Sequence, residues 1–305
     1  MHALVTGGAG FIGSNLSKKL LHKEYKVTVV DNLFTGKRSN IPTGCNFIND
    51  DLRINGFSKR LPDDVTHVFH LAAQSSGEIS FEDPRLDLET NVASTIELLD
   101  WAKRISVRKF LYTSSMSVYG NVPDKPISEN QEISPRSFYA VGKAASEFYI
   151  DIYSRLGLDS VILRLFNIYG PGQDIENMKQ GMLSIYLGFI LNREPLLVKG
   201  SMDRFRDFVY IDDCVEAIIA SAEADNTSGI FNICSGKKTT VKEAIGTILE
   251  KMGEIDYEVI NEKGTPGDQF GIFGNPEKTT NSIGWRCKTS FSDGIESMIR
   301  SLKGN

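Results

Sequence analysis

Tyr139 and Lys143 stand one helical turn apart in Tyr139-Ala140-Val141-Gly142-Lys143, so a helix carries both side chains on one face. Tyrosine is a poor base at its ordinary pKa of about 10. An ammonium close by favours phenolate and lowers that value, and a positively charged cofactor ring adds to the effect. Upstream, Thr113-Ser114-Ser115 ends an apolar run, and Ser115 is placed to hydrogen-bond a reacting hydroxyl or relay its proton to Tyr139. Taken singly, Tyr139 or Lys143 would be an ordinary surface residue. Beside a nucleotide cradle, the set points to redox chemistry at an alcohol or sugar carbon.

The cradle is at the start of the chain. His2-Ala3-Leu4-Val5 reads as a strand, Thr6 ends it, and Gly7-Gly8-Ala9-Gly10-Phe11-Ile12-Gly13 follows. Residues 14–21 then read as a helix, with Leu16, Leu20 and Leu21 at helical spacing. Strand, glycine turn and helix form the context in which a glycine pattern binds a dinucleotide. Gly7 permits the tight turn, Gly10 lets backbone approach a pyrophosphate, and Gly13 lets helix and strand pack closely. The helix start supplies N–H groups and the positive end of a dipole. Asp31 closes the second strand, where a carboxylate accepts from ribose hydroxyls and repels a 2′-phosphate, although Lys37 and Arg38 nearby would admit some NADP. Asp51-Leu52 follows the third strand, facing an adenine ring. His70-Leu71-Ala72-Ala73-Gln74 follows the fourth, where small alanines let a cofactor lie against backbone. His70 is read as a packed, hydrogen-bonded histidine and Asn91 as structural.

These residues need a frame in which strand ends meet. Apolar runs at 26–30, 46–48, 67–71, 109–113 and 160–165 alternate with helical stretches, notably about 84–104 and 137–156. Such alternation implies an α/β fold with a doubly wound parallel sheet and right-handed crossovers, whose ligands sit at the carboxyl ends of the strands. After Leu165 the pattern loosens: 166–180 is loop-like, helices follow at 182–191, 241–252 and 291–302, and 195–198, 206–211 and 230–233 read as strands. We therefore expect a nucleotide domain over 1–165 and a smaller, mainly substrate-binding lobe over 166–305. Segments near 206–234 would return to the main sheet.

Composition narrows the class. With 305 residues the chain can bury a full core. A net charge of −5 offers no basic surface for nucleic acid. There is no run of about 18 apolar residues for a membrane span. Cys45, Cys214, Cys234 and Cys287 are scattered, and the four histidines lack ligand spacing. We expect a cytoplasmic protein without a metal.

The motifs together resemble the extended short-chain dehydrogenase/reductase family, in its nucleotide-sugar epimerase and dehydratase branch. They are TGGAGFIG at 6–13, DN at 31–32, HLAAQ at 70–74, TSSMSVYG at 113–120, YAVGK at 139–143, FNIYGPGQ at 166–173 and RFRDFVYIDD at 204–213. The resemblance implies a Rossmann-type sheet and an NAD site lined by Gly7, Gly10, Phe11, Ile12, Asp31, Asn32, Asp51, Leu52, Leu71 and Ala73. It implies Ser115, Tyr139 and Lys143 as the catalytic set, and Asn167 and Arg206 as contacts to the sugar nucleotide. It further implies a homodimer, with the helices near 84–104 and 137–156 pairing across it. Leu88, Val92, Leu99, Phe148 and Ile152 supply apolar positions there, unless they face the chain's own sheet.

Dehydratases of this family place an Asp-Glu pair directly after the catalytic Thr or Ser, and related decarboxylases keep a Glu close by. Here Met116 and Ser117 stand there, and neither is an acid. The resemblance thus implies NAD-dependent 4-epimerisation of a nucleotide-diphosphate sugar of the UDP-glucose/UDP-galactose kind. The alternatives are a nucleotide-sugar reductase and a non-catalytic NAD(P)-binding regulatory protein. One departure bears on the substrate. Family epimerases carry R-x-G-D near the C-terminus, whereas Thr265-Pro266-Gly267-Asp268 puts threonine where the diphosphate-gripping arginine belongs. Arg204 is a candidate replacement, and Asp268 keeps its place as an acceptor for the nucleoside ribose.

Overall fold

Strands buried on both faces read as runs of branched apolar residues, and here those runs form one parallel sheet. The computed structural model describes residues 1–224, 227–254, 256–264 and 269–303. The first half runs β1 (His2–Thr6), α1 (Phe11–His22), β2 (Lys26–Asp31), β3 (Asn46–Asn49), β4 (His67–His70), α2 (Gly77–Glu82), α3 (Pro84–Leu88), α4 (Ser94–Arg104), β5 (Lys109–Ser115), α5 (Phe138–Arg155) and β6 (Ser160–Leu165). The second half runs β7 (Asn167–Tyr169), α6 (Met182–Leu191), β8 (Leu196–Lys199), β9 (Phe205–Arg206), β10 (Phe208–Tyr210), α7 (Ile211–Glu223), β11 (Gly229–Ile233), β12 (Thr239–Thr240), α8 (Val241–Met252), β13 (Val259–Glu262), α9 (Glu277–Ile283) and α10 (Phe291–Leu302).

The main sheet has seven strands in the order β3-β2-β1-β4-β5-β6-β11, the doubly wound order with β11 added at one edge. Thr6 lies opposite both Val30 and His70, so the carboxyl ends of β1, β2 and β4 finish at one level. The parallel strands are laid down outward from β1 toward one edge and from β4 toward the other, and a crevice opens at that switch between β1 and β4. Beyond β6 come three two-stranded pieces: β7 with β10, β9 with β12, and β8 with β13. No helix among the described residues is long and apolar enough to cross a membrane.

Three elements differ from the sequence expectation. The helix expected over 84–104 is interrupted by a π-helical stretch, Glu89–Ala93, which separates α3 from α4. The Asn91 carbonyl in that stretch accepts from Thr95 Oγ1 at 2.8 Å and from Ser146 Oγ at 2.6 Å, so side chains of α4 and α5 supply bonds at the irregular turn. The strand expected over 206–211 breaks at Asp207, and Ile211 already belongs to α7. The stretch 166–180 contains β7, paired in parallel with β10. Val92 and Leu99 are buried among the chain's own core residues, whereas Leu88, Phe148 and Ile152 are exposed.

Candidate active site

The glycine turn is held by backbone. Gly7 has φ +70°, a region that favours glycine, and its N–H donates to Val30 O at 2.8 Å. A Cβ on Gly13 would sit on the Gly7 carbonyl oxygen, so α1 can approach β1 this closely only with glycine at that position. Gly10 begins α1; no side chain caps this end and no acidic residue occupies its first turn. Asp31 ties the turn to β2: Oδ2 accepts from Ala9 N at 2.9 Å and Oδ1 from Leu33 N at 2.8 Å. Asn32 donates to Asp51 at 3.1 Å, and Arg53 beside Asp51 pulls that carboxyl down to about 2. Leu52 packs into the core. Lys37, offered by the sequence as a partner for a 2′-phosphate, instead pairs with Asp174 at 3.2 Å.

At the end of β4, Thr6 Oγ1 accepts from Leu71 N and Ala72 N and lies 2.7 Å from His70 Nδ1. His70 Nε2 lies 2.9 Å from Thr95 Oγ1, whose own proton goes to Asn91 O. Burial, with the Lys143 charge adding to it, pushes His70 down to about 3. It is a neutral packing residue. Ala73 and Gln74 continue this strand end, where Asn91 brackets Gln74: Oδ1 accepts from its N–H at 3.0 Å and Nδ2 donates to its carbonyl at 2.9 Å.

The chemistry-bearing set gathers where β5 meets α5. Ser137 caps α5 by accepting from Ala140 N, which sets Tyr139 in the first turn. Lys143, buried one turn later, donates to Thr113 O at 2.8 Å and stands 4.6 Å over the Tyr112 ring. Burial pushes Lys143 down to about 8, opposed by the Asp87 and Glu147 carboxylates. The Tyr139 phenol corrects the sequence expectation. Burial pushes it up to about 12, with a Ser115 hydrogen bond opposing and the Asp87 charge adding to the rise. In the protein alone, desolvation outweighs the Ser115 hydrogen bond.

Two residues here, Asp87 and Glu147, escaped the sequence reading, and Ser117, read there only for its lack of a carboxyl group, touches Ser115. Asp87 is buried beneath the pair and accepts from Gln74 Nε2 at 2.9 Å and Asn91 Nδ2 at 3.1 Å. Room for it comes from Gly142, where a Cβ would lie 2.8 Å from its Oδ1. Its helical spacing to Asn91 was the available signal. Ser117 donates to Ser115 Oγ through its hydroxyl at 2.9 Å and its N–H at 3.2 Å. Glu147, one turn after Lys143, forms a buried ion pair with Arg164 at 2.6 Å and accepts from Ser114, which clamps α5 to β5 and β6. Breaking such a buried pair costs about 3–5 kcal/mol.

On the opposite side, Asn167 donates through N and Nδ2 to Asp207 O at 3.0 and 3.1 Å. Arg206 is largely buried and donates to Phe205 O at 2.8 Å and Phe270 O at 3.3 Å. Arg204 donates to Ser201 O at 3.2 Å. Thr265 and Asp268 lie outside the described residues. The segment 171–181 reaches back to the first half: besides the Asp174–Lys37 pair, Ser76 Oγ donates to Lys179 O and Gln180 Nε2 to Ser75 Oγ. The crevice is thus bordered by strand ends on one side and by this segment on the other.

Comparison with known proteins gives consistent likenesses. The family described as "NAD dependent epimerase/dehydratase family" matches residues 3–234. A UDP-glucose 4-epimerase of Thermus thermophilus, solved in complex with NAD, is 36% identical with a TM-score of 0.93, covering 100% of this chain and 99% of that one. A UDP-glucose 4-epimerase of Thermotoga maritima, solved with UDP-glucose, is 33% identical with a TM-score of 0.94 and 99% of each chain covered. UDP-glucuronic acid decarboxylase 6 of Arabidopsis thaliana is 32% identical over 98% of this chain and 88% of its own length.

Proposed function

The chain belongs to the NAD-dependent epimerase/dehydratase family, and we propose that its reaction is 4-epimerisation of a UDP-linked hexose of the glucose/galactose pair. One observation carries this reading. Ser115, Tyr139 and Lys143 converge at the end of β5, while Met116 and Ser117 occupy the positions where eliminating relatives need carboxyl groups.

The uncapped start of α1 and the close-packed glycine turn fit a dinucleotide pyrophosphate, and Asp31 fits its ribose hydroxyls. NAD bound there supplies the hydride acceptor and then the hydride donor. Ser115, with Ser117 filling its acceptor sites, gives its one hydrogen to the Tyr139 oxygen and so steadies the phenolate. Tyr139 takes the C4 hydroxyl proton and returns it after the 4-keto sugar has turned in the pocket. Lys143 supplies positive charge beneath the phenol. Asn167 and Arg206 hold the sugar nucleotide, Arg206 at the diphosphate. Residues 1–165, with β11 returned to their sheet, form the cofactor side, and 166–305 mainly the substrate side.

The test is incubation with UDP-glucose without added NAD. UDP-galactose as product supports the reading; no turnover defeats it. The likeness to a decarboxylase favours a second reading, in which a uronic-acid sugar loses carbon dioxide, and UDP-glucuronic acid in the same assay would then give a pentose. We also propose a homodimer through the exposed Leu88, Phe148 and Ile152. A monomer mass at micromolar concentration rejects it. Four free cysteines are consistent with a reducing, cytoplasmic setting.

A further inference from the structure

Asp207 separates β9 from β10, and its side chain is fully buried. Oδ1 accepts from Ser235 N at 2.8 Å and Ser235 Oγ at 2.6 Å; Oδ2 accepts from Gly236 N at 2.9 Å and Gly274 N at 3.1 Å. One carboxylate therefore gathers the turn after β11, the strand break at 207 and the segment at 274. Its main-chain oxygen holds Asn167 through both N–H and Nδ2. Its covalent neighbour is Arg206, which is itself braced against Phe205 O and Phe270 O.

From this convergence we infer that Asp207 is the positioning residue of the nucleotide grip: it touches no reacting atom but sets the places of Asn167 and Arg206. The inference rests on the proposed reading of the substrate as a nucleotide-diphosphate sugar.

Donor and acceptor chemistry explains the residue type. Main-chain N–H groups can only donate, so the centre of the knot must offer acceptors on two oxygens at once. A carboxylate does so; an amide offers one oxygen and turns its NH2 toward N–H groups. Burial opposes the charge and pushes Asp207 up to about 6, with the bonds from Ser235, Gly274 and Gly236 pulling the other way. A carboxylate buried against that cost does what an apolar side chain cannot do here, namely fix three backbone segments at one point. The glycine turn makes none of these bonds.

Asp207→Asn tests this, read by UDP binding calorimetry, steady-state kinetics with UDP-glucose, and bound-NAD content. The expected result is a UDP Kd and a KM raised at least about tenfold, the order of one lost charge-assisted hydrogen bond, with kcat at saturation and NAD content retained. Ser235→Ala, which removes a single hydroxyl donor, should raise KM by a smaller factor with kcat unchanged, and it serves where Asp207→Asn does not fold. Wild-type UDP affinity in Asp207→Asn, or a loss of kcat at constant KM in Ser235→Ala, overturns the positioning role. If the wild-type protein itself does not bind UDP, the substrate reading fails first and the inference falls with it, an outcome distinct from normal binding by the variants.

Discussion

Ser117 donates its hydroxyl to Ser115 Oγ at 2.9 Å and its backbone N–H to the same oxygen at 3.2 Å. A hydroxyl has two acceptor sites and one hydrogen. With both sites filled, Ser115 has its hydrogen left to give, and its direction is set toward Tyr139. The position at which eliminating relatives use an acid here orients a proton donor. Ser117→Ala should therefore lower kcat by roughly two- to tenfold, the worth of a neutral hydrogen bond, with bound NAD unchanged. Steady-state kinetics beside cofactor quantitation checks it, and an unaltered kcat removes the orienting role.

Tyr139→Phe keeps the ring and removes the phenol oxygen. The fold and the bound NAD should persist while turnover falls by about 10²–10⁴-fold, the usual contribution of a positioned acid–base group. Near-normal turnover would exclude Tyr139 as the base.

Asp31 ties down the glycine turn, and in the proposed function the NAD ribose sits against it. Protein purified without added cofactor should release NAD on denaturation, and Asp31→Asn should weaken NAD binding by roughly tenfold or more. Chromatography of the released nucleotide reads the first and titration of stripped protein the second. Release of NADP alone would contradict the role given to Asp31.

Lys143 carries a pH signature. Its pKa falls from 10.5 to about 8 on folding because the ammonium is buried. Between those values the unfolded chain holds a proton that the folded one has released, so stability gains from this group as pH rises through that window. Below pH 8 the full cost of burial applies, about 3 kcal/mol. In stripped protein, Lys143→Met should therefore melt higher relative to wild type at pH 7 than at pH 10. A melting difference that does not change with pH would mean that Lys143 is not buried as a cation.

What the sequence discloses and what it hides divide along physical lines. The glycine turn, the Tyr139–Lys143 pair and the strand runs of the first half are local patterns, set by spacing within one element, and each lies in the structure where the spacing puts it. The π-helical stretch at Asn91 depends on bonds from Thr95 and Ser146 on neighbouring helices, which no local pattern records. The strand break at Asp207 likewise depends on donors from Ser235, Gly236 and Gly274, far along the chain. The phenol of Tyr139 shows the same limit: its helical spacing to Lys143 was legible, the desolvation of this half-buried side chain was not, and desolvation raises its pKa. Val92 and Leu99 share an apolar pattern with Leu88, and only packing separates the core face from the exposed one.

The central claim is that hydrogen leaves C4 of the sugar and returns to the same carbon on its opposite face without escaping the site. UDP-glucose deuterated at C4, turned over in ordinary water without added NAD, tests it most directly by mass and NMR analysis of the product. The expected product is UDP-galactose with the deuterium retained at C4. Loss of the label to solvent, or a product whose C4 configuration is unchanged, would contradict it.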